Sequence, residues 1–322
     1  MSEMMGRPSS PVQPAVRPRK RGGWRALVLI ALVLATLGLA ALVILAGSIG
    51  TRADLDQPPR GGQTVETVPG AASAPTASIA RADRPRRSPA ARLPTSRQLA
   101  AARRYASSRD GLVSFAVVDS RDKLHCYRCR VRYVSASLVK AMLLVAYLDH
   151  LAAEGHRLTA SDRVLLDPMI RVSDNAAATA AYWRAGASPA LHRLARRAGM
   201  RSFDIFGRWE TAQLTAADQA RFFARLQRLT PRRYWPYAHQ LLSSVVSWQS
   251  WGIPQASRPR WRTLFKGGWR GTGRGELVHQ AARLERGSRT MAIAILTDGN
   301  PSHLYGRETV RGIAARLLPA AG

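Results

Sequence analysis

Lysine is rare in this sequence, and one lysine stands where it could activate a nucleophile. The chain holds 49 lysine and arginine residues, of which only four are lysines. A buried lysine can lose its proton and act as a base, whereas arginine stays protonated in a protein. Lys140 follows Ser137 by three residues, at the start of an apolar stretch that predicts a helix to Ala153. This i,i+3 spacing would place the amine beside the hydroxyl, as a base beside a nucleophile.

The same spacing occurs a second time, at Ser120 and Lys123. We interpret that pair as solvated residues of a turn, because Arg121 and Asp122 between them leave nothing to bury. A serine three residues before a lysine is therefore a weak signal when it stands alone.

Two further motifs follow the first in order. An S-D-N triplet at 173–175 lies 36 residues after Ser137 and directly before a predicted helix, so by itself it would be an N-cap. A K-G-G triplet at 266–268 ends an apolar segment, and by itself it would be a turn with an incidental lysine. Taken together, S-x-x-K, S-D-N and a K-T-G-like triplet are the motif set of class A β-lactamases and penicillin-binding proteins.

With these motifs, residues 95–322 resemble the serine β-lactamase and DD-peptidase superfamily, and most closely a class A-like branch of membrane-anchored actinobacterial serine hydrolases. Segments 133–141, 214–221 and 251–254 also carry the resemblance. It implies an α+β fold of the β-lactamase/transpeptidase type, with a five-stranded antiparallel sheet beside a helical subdomain. The implied activity is that of an acylating serine hydrolase without cofactor or metal. Its substrate would be a β-lactam or a peptidoglycan stem peptide ending in D-Ala.

The resemblance also implies roles in the acylation step. Ser137 would be the acylated nucleophile, and Lys140 would take its proton, kept partly neutral by burial and by the cationic Lys266. Ser173 would relay a proton to the leaving nitrogen.

Other residues would hold the substrate. Asn175 would hydrogen-bond the substrate amide, and Lys266 would attract its carboxylate. The backbone N–H groups of Ser137 and of Trp269, which follows Gly268, would form an oxyanion hole worth about 3 kcal/mol per donor.

The sequence departs from the familiar class A pattern in three places. The 36-residue interval is short, so we expect a trimmed helical subdomain. Gly267 replaces the hydroxyl residue of K-T-G, which removes one donor to a substrate carboxylate. Glu210 follows Arg208-Trp209 as at the start of the loop that carries the deacylating glutamate, but Leu214 replaces the usual asparagine four residues later. Glu210 is therefore either the hydrolytic base or a surface or salt-bridged glutamate.

Hydrophobic periodicity predicts the order helix, two strands, a block of helices, three strands and a last helix. The first helix begins near Thr95 or Ser96, and the two strands are 112–118 and 124–134. Helices are predicted at 137–153, 175–185, 189–197, 215–229 and 233–246, strands at 263–268, 277–283 and 290–297, and the last helix at 307–318. A sheet assembled from both chain ends, with helices on its faces, satisfies this order.

The amino terminus predicts a membrane anchor. Residues 1–25 form a basic tail with six cationic residues against Glu3, and 26–47 contain an uncharged run long enough to approach the bilayer core. The cationic flank would stay in the cytoplasm, which makes the chain a single-pass protein of the cytoplasmic membrane with its hydrolase domain outside. Residues 48–94, with seven prolines, predict a disordered spacer. A cleaved signal peptide is the alternative for the apolar run.

Charge and cysteine content set further bounds. The formal net charge of +29 would suit nucleic acid, but the arginine excess is spread along the whole chain, so we expect no specific nucleic-acid partner. We also expect the protein to be a monomer. Two cysteines exclude a disulfide scaffold. Cys126 and Cys129 are either a local disulfide across a tight turn or two free thiols. Zinc would need two more ligands, and nearby only His125 is a candidate.

Two function classes stay open. One is an enzyme that acts on β-lactams or on D-Ala-ended wall peptides, and the other is a non-catalytic wall-binding or sensor domain with the same fold. All three motifs keep their reactive residues, which favours the enzyme. The membrane anchor suits a DD-peptidase resident at the wall, and the single domain suits a β-lactamase.

Overall fold

The structure is a computed structural model and describes residues 94–318. The strands are β1 Leu112–Val118, β2 Leu124–Tyr127, β3 Arg132–Val134, β4 Gln213–Thr215, β5 Arg262–Thr272, β6 Gly275–Arg286 and β7 Arg289–Asn300. The α-helices are α1 Ser96–Ser107, α2 Lys140–Ala153, α3 Ala160–Arg171, α4 Asn175–Arg184, α5 Ala187–Ala198, α6 Ala216–Leu229, α7 Trp235–Ser243, α8 Ile253–Ser257 and α9 His303–Leu317. Short 3-10 helices lie at Ala136–Val139, Trp209–Thr211, Arg232–Tyr234 and Ser247–Gln249.

Five strands form one antiparallel sheet in the order β2-β1-β7-β6-β5. The two ends of the domain meet in this sheet, because β1 pairs with β7 from Leu112 opposite Asp298 to Val118 opposite Ala292. At the other edge, β5 pairs with β6 alone and leaves its outer side unpaired by other strands of the described range. The predicted five-stranded antiparallel sheet is confirmed.

Helices cover both faces of the sheet. Helix α6 packs on β1, β6 and β7, while α9 packs on β6, β7 and α1. Helices α2 to α5 form the helical part, in which α2 is buried along nearly its whole length. By length and hydropathy alone Ala136–Ala153 could cross a membrane, but this segment is 72% buried. It serves as the core helix of the domain.

The predicted strand 124–134 is wrong as a single strand. It divides into β2 and β3, and Arg128 between them has a φ of 46°, which extended backbone cannot accommodate. A disulfide joins Cys126 and Cys129 across this turn, with their Cα atoms 5.4 Å apart. Strand β3 then leaves the main sheet and pairs with β4. This settles the open question about the two cysteines, whose bridge leaves no thiol to bind zinc.

Two helices lie where no helix was predicted. Helix α3 contains Pro168 and buries only four residues, so its periodicity is weak, and α8 spans five residues. The remaining predicted elements are present with boundaries shifted by a few residues. The predicted tail, membrane helix and spacer lie outside the described residues, apart from Pro94.

Candidate active site

Ser137 lies in the 3-10 helix Ala136–Val139, which runs directly into α2 at Lys140. Sequence periodicity predicts helix from Ser137 onward, but regular α-helix begins three residues later. Ala136 has a φ of 45°, which L-residues rarely adopt. Leu138 and Val139 are fully buried, whereas Ser137 is half-buried. The turn is thus anchored in the core and presents the serine at its surface.

Lys140 is bound by the S-D-N triplet. Its Nζ donates to the Ser173 carbonyl at 2.5 Å, to Asn175 Oδ1 at 2.7 Å and to Ser173 Oγ at 3.3 Å. No hydrogen bond joins Lys140 Nζ to Ser137 Oγ within residues 94–318. Complete burial of the side chain lowers the pKa of Lys140 to about 8, although the charges of Asp174 and Glu210 oppose this shift. At pH 7 about one amine in ten is therefore deprotonated, far more than at the ordinary pKa of lysine.

The S-D-N triplet combines an N-cap with a turn that faces Lys140. Asp174 Oδ1 accepts the Ala177 N–H at 2.7 Å and caps α4, as a capping residue would. Ser173 adopts a φ of 65°, and its carbonyl and hydroxyl both face Lys140. Helix α4 therefore fixes the position of the polar groups around this lysine.

Lys266 approaches the same hydroxyl from β5. Its Nζ donates to Ser173 Oγ at 3.1 Å and to the Gly267 carbonyl at 3.0 Å. The side chain is fully buried, and burial together with the charge of Lys140 lowers the pKa of Lys266 to about 7. Ser173 Oγ thus lies between two amines that titrate near neutral pH.

Gly268 lies directly against the 3-10 turn Ala136–Val139, which carries the predicted nucleophile Ser137 and is called the nucleophile turn below. A Cβ at this position would stand 2.9 Å from Ser137 N and 2.8 Å from Leu138 N. The glycine therefore lets the edge strand β5 approach the backbone of Ser137. Trp269 follows Gly268 on that edge strand.

Glu210 lies in the 3-10 helix Trp209–Thr211, which packs on the nucleophile turn. Its charge acts on Lys140. Its side chain is 37% exposed, and its Oε2 lies 3.9 Å from Arg208 Nε. That oxygen is buried and accepts no hydrogen bond from residues 94–318. Leu214 is fully buried in β4 opposite Tyr133. Because its side chain is apolar, it offers no polar group to a water near Glu210.

Two residues that the sequence did not single out for the site support it. The Trp209 ring lies 4.9 Å from Lys140 Nζ, and its Nε1 donates to Thr179 Oγ1 at 3.0 Å. An aromatic residue directly before Glu210 was the available signal. His279 is fully buried, and burial lowers its pKa to about 4. The Thr297 N–H donates to its Nδ1, so His279 Nε2 donates to the Val134 carbonyl at 3.0 Å and anchors the strand before Ser137.

The structure therefore brings the predicted site residues together. Hydrogen bonds join Lys140, Ser173, Asn175 and Lys266, and Gly268 touches the Ser137 turn. Ser120 and Lys123 are exposed turn residues elsewhere, as expected.

Known structures share this fold. A β-lactamase from Sphaerobacter thermophilus is 19% identical, with a TM-score of 0.60, over 69% of this chain and 98% of its own. A representative class A β-lactamase from Bacteroides cellulosilyticus is 13% identical, with a TM-score of 0.62, over 70% and 98%. The structure of PBP-A is 14% identical, with a TM-score of 0.58, over 70% and 97%. These likenesses define the class of the fold, which is the β-lactamase/transpeptidase type.

A family model narrows this class. The beta-lactamase enzyme family matches residues 154–320, about half of the chain. The chain belongs to the beta-lactamase enzyme family. The matched range includes the S-D-N and K-G-G triplets and Glu210, and it begins after Ser137 and Lys140. No curated protein matches the sequence.

Proposed function

We propose that this protein is a serine hydrolase that β-lactams acylate on Ser137 and that releases them slowly. The observation that carries the proposal is the position of Ser173 Oγ, 3.3 Å from Lys140 Nζ and 3.1 Å from Lys266 Nζ. A hydroxyl between two amines of lowered pKa is a route for a proton.

The hydrogen bonds of Lys140 suit a general base. A neutral amine keeps two N–H groups, which can donate to the Ser173 carbonyl and Asn175 Oδ1. Its lone pair then accepts the proton of Ser137 while the serine oxygen bonds to the lactam carbonyl carbon. When the lactam C–N bond breaks, the proton passes through Ser173 Oγ to the ring nitrogen. The atoms balance without a cofactor.

The substrate would lie between the nucleophile turn and β5. The N–H groups of Ser137 and Trp269 would bind the developing oxyanion, and a protonated Lys266 would attract the carboxylate. Because Gly267 carries no hydroxyl, the carboxylate has one donor fewer than a K-T-G triplet supplies. We therefore expect weak binding of the substrate before acylation.

Slow release follows from the environment of Glu210. Hydrolysis of the acyl-enzyme needs a base that holds water on the ester. Glu210 lies close enough to influence Lys140, and its Oε2 is free of hydrogen bonds within the described range. Leu214 is buried and apolar, so one of the groups that would orient the water is missing.

A D-Ala-directed wall peptidase is the second candidate. The leucine at position 214, in place of the usual asparagine, also favours this candidate. A peptidase forms a long-lived ester with penicillin, so it needs no specialised base to hydrolyse that ester. In that case stem peptides are the substrate and β-lactams act as inhibitors.

Nitrocefin turnover measured beside labelling with a fluorescent penicillin tests both candidates, with Ser137→Ala as the control. Labelling with slow, repeated turnover supports the hydrolase that acts on β-lactams. Stoichiometric labelling without turnover, together with release of D-Ala from a stem peptide, moves the peptidase ahead. Absence of labelling and of peptide cleavage would indicate a non-catalytic domain and overturn the proposal.

We also propose that the hydrolase domain faces the outside of the cytoplasmic membrane, held by residues 26–47 and a spacer. The supporting observations are the basic residues before the uncharged run and the prolines after it. Protease added to intact spheroplasts is expected to release a soluble domain by cleavage within 48–94. Complete protection of the domain, with cleavage only after lysis, would reverse the orientation.

A further inference from the structure

A cavity of about 310 Å³ is lined by none of the residues assigned to the hydrolase site. It lies between the β2–β3 turn, the loop after α5 and the first turns of α6. Each of these segments contributes one arginine: Arg130, Arg201 and Arg221. The Cys126–Cys129 disulfide and Leu124 form the apolar part of its wall. Cationic side chains from three separate segments thus converge on one space.

One carboxylate lines the same cavity, and its oxygens are already occupied. Asp218 Oδ1 accepts the Arg201 N–H at 2.7 Å, and Oδ2 accepts the Ser202 N–H at 3.1 Å and the Thr215 hydroxyl at 2.8 Å. Asp218 is 1% exposed, and its only ion pair within residues 94–318 is with Arg221 at 3.7 Å. Three guanidinium groups therefore face the cavity against one carboxylate that is largely satisfied by other groups.

The guanidinium groups have unused donors. Among residues 94–318, the side chains of Arg130, Arg201 and Arg221 donate no hydrogen bond to the protein. Burial lowers the pKa of Arg221, with further lowering by Arg201, Arg225 and Arg130, while Asp218 acts in the opposite direction. Like charges held together in this way repel one another, and an anion bound between them would remove that repulsion.

We propose that this cavity binds the phosphate group of a phosphate monoester. Three arginines against one aspartate leave a formal charge of +2, which matches a phosphate ester carrying close to two negative charges near pH 7. Guanidinium groups bind phosphate oxygens through paired N–H donors, and three of them from different directions suit an anion with three free oxygens. The cavity is larger than a bare anion, and Leu124 and the disulfide offer an apolar surface to the organic part.

Calorimetric titration of the full chain in detergent, at an ionic strength of about 0.15 M, tests this proposal. The probes are phenyl phosphate, inorganic phosphate and benzoate. Phenyl phosphate compared with inorganic phosphate distinguishes binding of an ester from binding of the free ion. Phenyl phosphate compared with benzoate distinguishes binding of a phosphate from binding of a carboxylate. Arg130→Gln and Arg201→Gln remove one exposed arginine each from the cavity. Arg97→Gln removes one exposed arginine from α1 and is the matched control.

Phenyl phosphate is expected to bind at least tenfold more tightly than benzoate. Each cavity variant should weaken it at least tenfold, or about 1.4 kcal/mol, because it removes a charge-assisted hydrogen-bond donor to the phosphate. Arg97→Gln should leave the Kd within about twofold. Tighter binding of inorganic phosphate than of phenyl phosphate would show that the ligand is the free ion and would overturn the ester assignment. Equal losses in all three variants, equal binding of benzoate, or no saturable binding at a Kd below about 1 mM would overturn the site itself.

Discussion

Gly268 and Ser137 are in contact through their backbones, so the edge strand β5 packs directly against the nucleophile turn. A Cβ at Gly268 would lie 2.9 Å from Ser137 N and 3.0 Å from the Ser135 carbonyl oxygen. These are backbone atoms, which cannot rotate away as the end of a side chain can. The separation of the two proposed oxyanion donors, the N–H groups of Ser137 and Trp269, therefore depends on the absence of a side chain at position 268.

Gly268→Ala is expected to lower the rate of acylation by penicillin at least tenfold, because the strand and the turn must move apart. It should also lower the melting temperature, since overpacking costs about 1–3 kcal/mol. Gly267→Ala is the matched control, because the atoms nearest to its Cβ would be those of the Trp251 ring and the His279 carbonyl oxygen, at 3.5 Å and beyond. Stopped-flow acylation and thermal unfolding measure the two effects. Equal acylation rates in both variants would show that the contact has no part in catalysis.

Ser137 is expected to be the single acylation site. It stands at the head of a buried helix beside Lys140, whereas Ser120 is exposed in a turn. Intact-mass spectrometry after incubation with a penicillin should show one adduct, which is lost in Ser137→Ala and kept in Ser120→Ala. An adduct that survives Ser137→Ala would remove Ser137 as the nucleophile.

The acylation rate should follow a bell-shaped pH profile with its maximum between about pH 7 and pH 8. Lys140 must be neutral to take a proton, and its pKa of about 8 suppresses the rate at low pH. Lys266 must be protonated to attract a carboxylate, and its pKa of about 7 suppresses the rate at high pH. Second-order acylation constants from pH 5 to pH 10 measure the profile. A flat profile across this range would exclude both lysines from these roles.

Glu210→Gln should lengthen the lifetime of the acyl-enzyme, by about 10²–10⁴-fold if Glu210 is a well-placed base and by less if its water is poorly held. The acylation rate should stay within a few-fold of the parental rate. Any gain in its acylation rate should be largest at low pH. Glu210 raises the pKa of Lys140, so removal of the Glu210 charge favours the neutral amine. Intact-mass spectrometry that follows the formation and the loss of the adduct separates acylation from deacylation. Turnover at the parental rate would assign deacylation to another group, such as Lys140, and would favour the peptidase.

The sequence by itself determined much of the fold and the residues of the site. Hydrophobic periodicity is a local property, so four of the five strands of the main sheet and most helices could be placed, and the motifs around Ser137, Ser173 and Lys266 could be read in order. The disulfide was one of two alternatives, because a strand and a tight turn orient Cys126 and Cys129 differently. Only the backbone conformation at Arg128 decided between them.

The tertiary structure alone decided how these residues meet. Ser173 contacts Lys140 across 33 residues of sequence and Lys266 across 93. The i,i+3 spacing predicts an amine beside the Ser137 hydroxyl, but the hydrogen bonds of that amine go to Ser173 and Asn175. The sequence also did not predict the need for glycine at position 268 or the convergence of three arginines on one cavity. Such contacts arise from the packing of distant segments, which local periodicity and motif spacing do not encode.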